Sequence, residues 1–414
     1  MITVPGPVTV PSAGVRPGTW YVPDDGLSSR SARARGSGPY EASLPARLAG
    51  LELALPGDLA ADVGDAEAAL AAFDAHSTSA LGTDNPALGP MSAVLLRTES
   101  ASSSQIEDLT VGAKQLALAE LHQSRSANAR AVVANVRTME AALRLASDLD
   151  LDALLSMHRE LMTDAAVGSG RSGPTGDAGS LRTRLVWVGR SGSSPRGAVH
   201  VAPEAEDVPP AMADLIHFIA RDGLPVLLHA ALAHAQFETI HPFTDGNGRT
   251  GRALVHAMLR GKGLLRSTTA PVSAGLLTDL DGYVSALTAF RTGDARPIIE
   301  QFAHAARYAA TTGSRLVDDL AAVLAHSRNL MSGMRRQATG WKVLPLLIAQ
   351  PIVDSAFVRD RLGVSAMTAQ RALDQLTDAG VLRETTGFSR NRVWQQGEIL
   401  AVLDGYAATV RRDG

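Results

Sequence analysis

The stretch 241-HPFTDGNGRTGR-252 packs an imidazole, a carboxylate, an amide, two guanidiniums and three glycines into twelve positions of a chain otherwise rich in Ala, Leu and Val. Its flanks place it. Residues 225–240 read as a helix with Pro225 near its start, a favoured first-turn position. Downstream, Gly251, Leu254, Val255, Met258 and Leu259 recur at helical spacing and predict an amphipathic helix beginning near Asn247 or Gly248. The quoted residues therefore form a loop entering a helix N-terminus, where unpaired N–H groups and the helix dipole favour an anion.

Within that loop, Gly246 and Gly248 let the backbone fold into an anion-binding nest. Arg249 and Arg252, three apart, can point to one side of the new helix and fork phosphate oxygens. Asp245 beside such a cradle is a hard oxygen ligand of the kind that holds Mg²⁺ together with substrate phosphates. His241 titrates near neutrality and can take a proton from an attacking hydroxyl. Phe243 is expected to plug the core. Taken singly, each polar residue has a plainer role: a helix-end histidine, a turn aspartate, a solvated pair of arginines. Their combination is hard to reach by separate accidents. The string 246-GNGRTG-251 also satisfies a dinucleotide-binding pattern, but it follows a predicted helix, and the residue twenty positions past Gly246 is Arg266 in place of an acid. No P-loop or His-Glu-x-x-His sequence occurs. His229 and His234 are expected in the core or on the surface.

Length and composition bound the rest. A chain of 414 residues suggests two or three domains. A net charge of −3 argues against a protein coated in nucleic acid or held electrostatically on membranes. The absence of cysteine removes disulfides, thiolate metal sites and cysteine nucleophiles. Neither a secretory signal nor a membrane-spanning run is visible, so the expected location is the cytoplasm.

Along the chain, residues 1–43 read as a loosely structured lead. Residues 44–108 read as a helical region, with short helices suggested from Leu44 to His76, and 109–330 as a mainly helical core. The run 181–203 breaks the helical habit with two β-rich segments around a Gly/Ser/Pro turn, a hairpin signal. Residues 341–414 read as three helices, the first across WKVLPLLIA, followed by a two-run wing around Gly387, which makes a winged helix-turn-helix. This last region carries nine Lys/Arg against eight Asp/Glu, a weak overall footprint for DNA. A local cluster of Arg371, Arg383, Arg390 and Arg392 keeps both DNA binding and protein docking open.

The motif resembles the signature of the Fic (Fic/DOC) family, His-x-Phe-x-Asp/Glu-Gly-Asn-Gly-Arg-x-x-Arg, with every fixed position filled. The preceding FETIHPF, the hairpin at 181–203, which is similar to the family's target-docking flap, and the terminal winged helix extend the likeness. The resemblance implies a mainly α fold, a Fic helical core with a β-hairpin flap. It also implies Mg²⁺-dependent transfer of AMP from ATP to a hydroxyl of a target protein, and of the enzyme itself. His241 would deprotonate that hydroxyl and Asp245 would bind Mg²⁺. Gly246, Asn247 and Gly248 would hold the α/β-phosphates, with Arg249 and Arg252 organising the remainder. Gly248 stands where the kinase branch of the family carries lysine.

A second stretch, 99-ESASSSQIEDLT-110, reads by itself as a Ser-rich loop entering a helix, with Glu107 in its first turns. It resembles the family's inhibitory motif Ser/Thr-x-x-x-Glu-Gly/Asn through Ser103 and Glu107. The resemblance implies that Glu107 pairs with Arg252 and misplaces the ATP γ-phosphate. Asp108 departs from the motif's Gly or Asn. The rival from another class is a DNA-binding regulator whose Fic fold senses nucleotide; within enzymes, another nucleotide or a phosphocholine donor stays open, as does a homodimer.

Overall fold

The computed structural model describes residues 6–24, 29–80, 87–165, 177–189, 194–385 and 392–413. The chain is mainly helical, as expected. An antiparallel hairpin of β1 (Gly14–Trp20) and β2 (Gly38–Leu44), with α1 (Arg30–Gly36) between them, opens it. Then come α2 (Gly57–Ser79), α3 (Leu88–Gln105), α4 (Ala113–Glu120), α5 (Ala127–Arg144) and α6 (Leu151–Ala165). The short pair β3 (Trp187–Val188) and β4 (His200–Val201) follows, and then α7 (Val208–Ile219), α8 (Val226–Ile240) and α9 (Asn247–Gly261). After α10 (Val272–Leu277) and α11 (Leu280–Arg291), the 35-residue α12 (Arg296–Leu330) runs along the body.

Helix α8 explains the packing. Every residue from Leu227 to Ile240 is buried, the polar His229, His234, Gln236, Glu238 and Thr239 among them, so the helix lies at the centre. Helices α7, α9, α11 and α12 pack on it. Helix α2 offers α12 a stripe of Leu59, Val63, Ala66, Leu70 and Phe73, at spacings of three and four. Helix α5 packs between α3, α6 and α9.

The C-terminal part holds α13 (Gly340–Val343), α14 (Leu346–Ala349), β5 (Ile352–Val353), α15 (Ser355–Leu362), α16 (Ala366–Asp378), β6 (Arg383–Glu384), β7 (Trp394–Gln395) and α17 (Gly397–Asp413). The strands form one antiparallel sheet in the order β5-β7-β6. Pro345 splits the single helix expected over WKVLPLLIA, standing at the N-cap of α14. Between α15 and α16, Gly363 adopts φ 62, and Ser365 caps α16 by accepting from Thr368 N.

Two expectations fail at the N-terminus. The described residues of the 1–43 segment are not a loose lead: β1 and β2 pair from Gly14 opposite Leu44 to Trp20 opposite Gly38. Pro17 and Pro39 hid the strands, and a two-stranded ribbon tolerates proline because each strand has a free edge. Tertiary contacts hold the ribbon against the 181–203 region and the residue after it: Trp20 meets Trp187 edge-on at 5.1 Å, and Tyr40 Oη donates to Glu204 at 2.5 Å. The short apolar run after Leu44 is not helical either. Leu48 and Leu51 are buried from irregular backbone, pinned where Leu48 N donates to Asp214 at 2.6 Å.

Candidate active site

The loop 241–246 is built from both ends. His241 ends α8 in the left-handed region, φ 50, ψ 61, and turns the chain sharply. Arg182, almost fully buried, clamps that turn. Its guanidinium donates to the carbonyls of His241 (2.8 Å), Arg184 (2.8 Å) and Pro203 (2.7 Å), and its backbone N to Pro242 O (2.9 Å). Burial lowers the Arg182 pKa to about 10, still far above neutrality. At the other end, the Asn247 amide is spent on one residue: it accepts from Phe243 N and donates to Phe243 O, both at 2.9 Å. Its side chain thus closes the loop, and only its backbone is available for the phosphate contact inferred from the resemblance.

Phe243 is fully buried, as expected, and stacks on His158 at 3.7 Å. His158 Nδ1 accepts from Gly179 N at 3.0 Å, which leaves Nε2 to donate to Asp245 O at 3.1 Å. Burial lowers its pKa to about 4, so the ring is a neutral strut.

Three groups face chemistry. His241 Nδ1 lies 3.6 Å from Glu238 Oε2, one helical turn back. Burial alone would raise the Glu238 carboxyl; the rings of His241 and His234 and the Arg252 guanidinium outweigh it and hold the pKa at about 2. An ionised Glu238 thus stands behind the imidazole, on its Nδ1 side. Asp245 is 70% exposed at its side chain; Oδ1 accepts from Gly246 N at 2.7 Å and lies 3.7 Å from Arg249. Gly246 begins α9 with φ 78 and no side-chain cap, so the first N–H groups of the helix lack a protein cap.

Glu107 lies over that helix start. It does not sit in the first turns of a helix, as the sequence suggested, but just past the C-terminal end of α3. Oε1 accepts from Arg252 at 2.9 Å, and Oε2 pairs with Arg249 Nε at 2.6 Å. Ser103, fully buried, accepts from Arg252 through Oγ and through its carbonyl, both at 2.8 Å. One turn earlier, Glu99 meets His256 Nε2 at 2.9 Å and accepts from Ser273 N at 2.9 Å. Glu99, Ser103 and Glu107 are four apart, and their partners His256, Arg252 and Arg249 follow helical spacing on α9. The two helices are zipped by three polar rungs. Burial would lower the Arg252 pKa, but Glu107 and Glu238 outweigh it and raise it. Asp108 adopts φ 61, a conformation tolerated by Asp as well as by Gly and Asn.

The remaining expected residues divide. Strands β3 and β4 supply the hairpin, Trp187 opposite Val201, with Val188 and Val199 exposed. His200, on β4, is buried, and its ring lies edge-on to that of His241 with the centroids 6.5 Å apart. His229 and His234 are core residues, bonded to Phe218 O at 2.9 Å and Tyr283 Oη at 2.6 Å. Arg371 and Arg383 are exposed. Arg392 is engaged by Glu384 at 2.5 Å, by Asp374 at 3.8 Å and by the Trp394 ring at 4.7 Å. Arg390 lies outside the described residues. Among the described residues no cluster of three or more metal-ligating side chains occurs, and no helix is long and apolar enough to cross a membrane.

Sequence reading missed Arg182, His158, Glu238 and Glu99. Only Glu238 carried a signal: it stands three residues before His241, one turn back on the same helix.

Residues 148–259 match the Fic/DOC family. The chain is 30% identical over 174 residues to "Protein adenylyltransferase fic-1" of Caenorhabditis elegans, covering 40% of this chain and 30% of that protein. It is 29% identical over 180 residues to "Protein adenylyltransferase Fic" of Nematostella vectensis, covering 42% and 35%. The chain thus spans about a third of the length of these curated relatives. Among solved structures, a Fic family protein from Desulfovibrio desulfuricans G20 aligns with a TM-score of 0.49 at 22% identity, covering 83% of this chain and 97% of that one. With the signature loop, the helix it opens and the clamp beneath it in place, residues 148–259 are a Fic/DOC-family domain.

Proposed function

We propose that the chain is a Mg²⁺-dependent protein adenylyltransferase, moving AMP from ATP to a hydroxyl side chain of a target protein and of itself, and that Glu107 holds it inhibited. One observation supports this reading above others. A single carboxylate occupies both arginines at an uncapped helix N-terminus, as a stand-in for the anion that the site is built to bind.

In this reading the uncapped N–H groups of α9, with Arg249 and Arg252, bind the triphosphate. His241, with Glu238 behind it, takes the proton of the target hydroxyl as its oxygen attacks the α-phosphorus. The bond to the β-phosphate oxygen breaks, and pyrophosphate leaves. An intact His241 favours turnover over mere nucleotide sensing, which needs no base.

The Asp245 carboxylate suits Mg²⁺: it is hard and exposed, and its contacts with Gly246 N and Arg249 both fall on Oδ1. Mg²⁺ held there together with phosphate oxygens would neutralise charge on the leaving pyrophosphate.

The test is incubation with labelled ATP, GTP, CTP or UTP and Mg²⁺, followed by mass analysis of the protein. An AMP adduct on a hydroxyl residue is expected. A GMP, CMP, UMP or phosphate adduct, or a phosphocholine adduct when CDP-choline is the donor supplied, would change the donor assigned, and no adduct from the wild type or Glu107→Gly would favour a sensor.

We further propose residues 341–414 as a winged helix-turn-helix that docks a partner. The exposed face of α16 carries Met367, 72% exposed, beside Arg371. A mixed apolar and basic face, with Arg392 already engaged by carboxylates, favours a protein over DNA. Salt-dependent complexes with promoter fragments, weakened in Arg371→Ala, would reverse that choice.

A further inference from the structure

Glu99 is a fully buried carboxylate that the chemistry above does not use. It stands on α3, eight residues before Glu107. Oε1 meets His256 Nε2 at 2.9 Å and accepts from Ser273 Oγ, while Oε2 accepts from Ser273 N at 2.9 Å. His256 lies one turn beyond Arg252 on α9, and Ser273 lies in the first turn of α10. One side chain therefore fixes α3 against two helices at once.

This rung differs from the other two. Ser103 and Glu107 hold Arg252, and Glu107 also holds Arg249, so both contend with any anion that reaches the start of α9. The partners of Glu99 lie away from that start, and its grip stays while the arginines are contested. The chain after α3 is bonded back to the helix. Ile106 N donates to Ser102 O at 3.3 Å, and Glu107 N and Leu109 N donate to Ser104 O at 3.1 and 3.0 Å. The backbone of Glu107 therefore goes where α3 goes. Its carboxylate reaches two guanidiniums together, at 2.6 and 2.9 Å, and such forked pairing is geometrically exacting.

A buried carboxylate adds little net stability over an apolar pair of the same size. What it does supply is register, because its hydrogen bonds tie set atoms to set atoms. We propose that Glu99, through His256 and Ser273, sets the depth at which α3 lies on α9 and thereby the strength of inhibition by Glu107. Glu99 is in this sense a positioning residue, and its effect on activity rests on the adenylyltransferase reading above.

Glu99→Met and His256→Leu break the rung from either side, and each is made in the wild type and in Glu107→Gly. Self-modification from ATP and Mg²⁺ should rise roughly fivefold in the wild-type background, the usual worth of one hydrogen bond. In Glu107→Gly it should not rise at all. Hydrogen exchange without nucleotide should quicken at the amides of Ile106, Glu107 and Leu109. A merely structural pair predicts otherwise: melting temperature and rate would fall together in both backgrounds. That result, or no gain in rate from either variant while Glu107→Gly is active, overturns the proposal. An equal gain in the Glu107→Gly background also overturns it, by placing the effect outside inhibition. An inactive Glu107→Gly would sink the transferase reading by itself. The exchange data then decide separately: quickened amides leave Glu99 as the group that seats α3, and unchanged amides remove that role too.

Discussion

A Cβ placed on Gly248 would stand 2.6 Å from Glu107 Oε1, so the first turn of α9 and that carboxylate contend for one space. The arginines that flank the same space are both on Glu107. A phosphate drawn to the helix N-terminus meets an anion already seated there. The structure supplies one reason why a glycine stands at 248, closeness to Glu107, and the proposed reading adds a second, closeness to a phosphate when Glu107 is gone.

Glu107→Gly should raise self-modification. If the zipped form dominates by about 2 kcal/mol, its release increases the active population roughly thirtyfold. Arg252→Ala breaks the same pair but should not activate, because it removes a phosphate ligand along with the inhibitor's partner. Asp108 pairs with neither arginine among the described residues, so adding Asp108→Gly to Glu107→Gly should change little. A double variant far more active than the single one would show Asp108 acting as a second inhibitor. Initial rates at saturating ATP decide both points.

His241→Ala should keep ATP binding and the fold but lose transfer by on the order of 10²–10⁴-fold. Asp245→Ala should keep the fold and lose the Mg²⁺-supported rate. Both are best made in the Glu107→Gly background, where the starting rate is high enough to measure such losses. Wild-type rates in His241→Ala, or full activity of Asp245→Ala without metal, would remove these residues from the roles given them.

Arg182→Lys should be poorly tolerated although it keeps the charge. One ammonium cannot reach the carbonyls of His241, Arg184 and Pro203 in the planar fan that the guanidinium spans. Leaving buried carbonyls unmet costs about 1–3 kcal/mol each. The melting temperature should fall, and transfer in the Glu107→Gly background should fall further than ATP affinity, since the turn at His241 loosens. Equal loss of affinity and rate would instead point to general unfolding.

What the sequence made legible follows from how local each feature is. The loop between α8 and α9 was readable because its residues are contiguous and the apolar period on either side places it. Ser103 and Glu107 were readable only through a family motif: the Ser-rich run lacks a helical stripe, so the helix ending there was mistaken for one beginning. The polar rungs explain that. Glu99, Ser103 and Ser104 are buried by partners from α9, α10 and α5, not by apolar character. Arg182 and His158 reach the loop from residues more than fifty positions away, and nothing in their own neighbourhoods marks them. The N-terminal ribbon was missed for the same reason, since its support comes from Trp187, Glu204 and Arg196.

The buried histidines predict how stability depends on pH. Burial lowers His158 and His229 to about 4 and His200 to about 3, against an ordinary value near 6.5. Between those values the unfolded chain binds protons that the folded chain refuses, so stability rises with pH across that window. It is complete above about pH 6.5 and is lost as pH falls toward 4, at up to about 1.4 kcal/mol per pH unit for each ring. Glu238, held at about 2 against an ordinary 4.5, stays ionised in the folded chain and adds slope of the same sign only as pH nears 4.5. Thermal melts at half-unit steps from pH 7.5 to 4.5 should show a steady fall beginning near 6.5. His234 is lowered by burial as well, so His229→Gln removes one titrating ring of four, while its amide can still donate to Phe218 O, and the slope should shrink by about a quarter. Activity lost at pH 5.5 should return on neutralisation if partial unfolding is its cause. A melting temperature unchanged between pH 7 and 5 would mean that these rings take up protons in the folded protein, and the neutral strut beneath Phe243 would have to be abandoned.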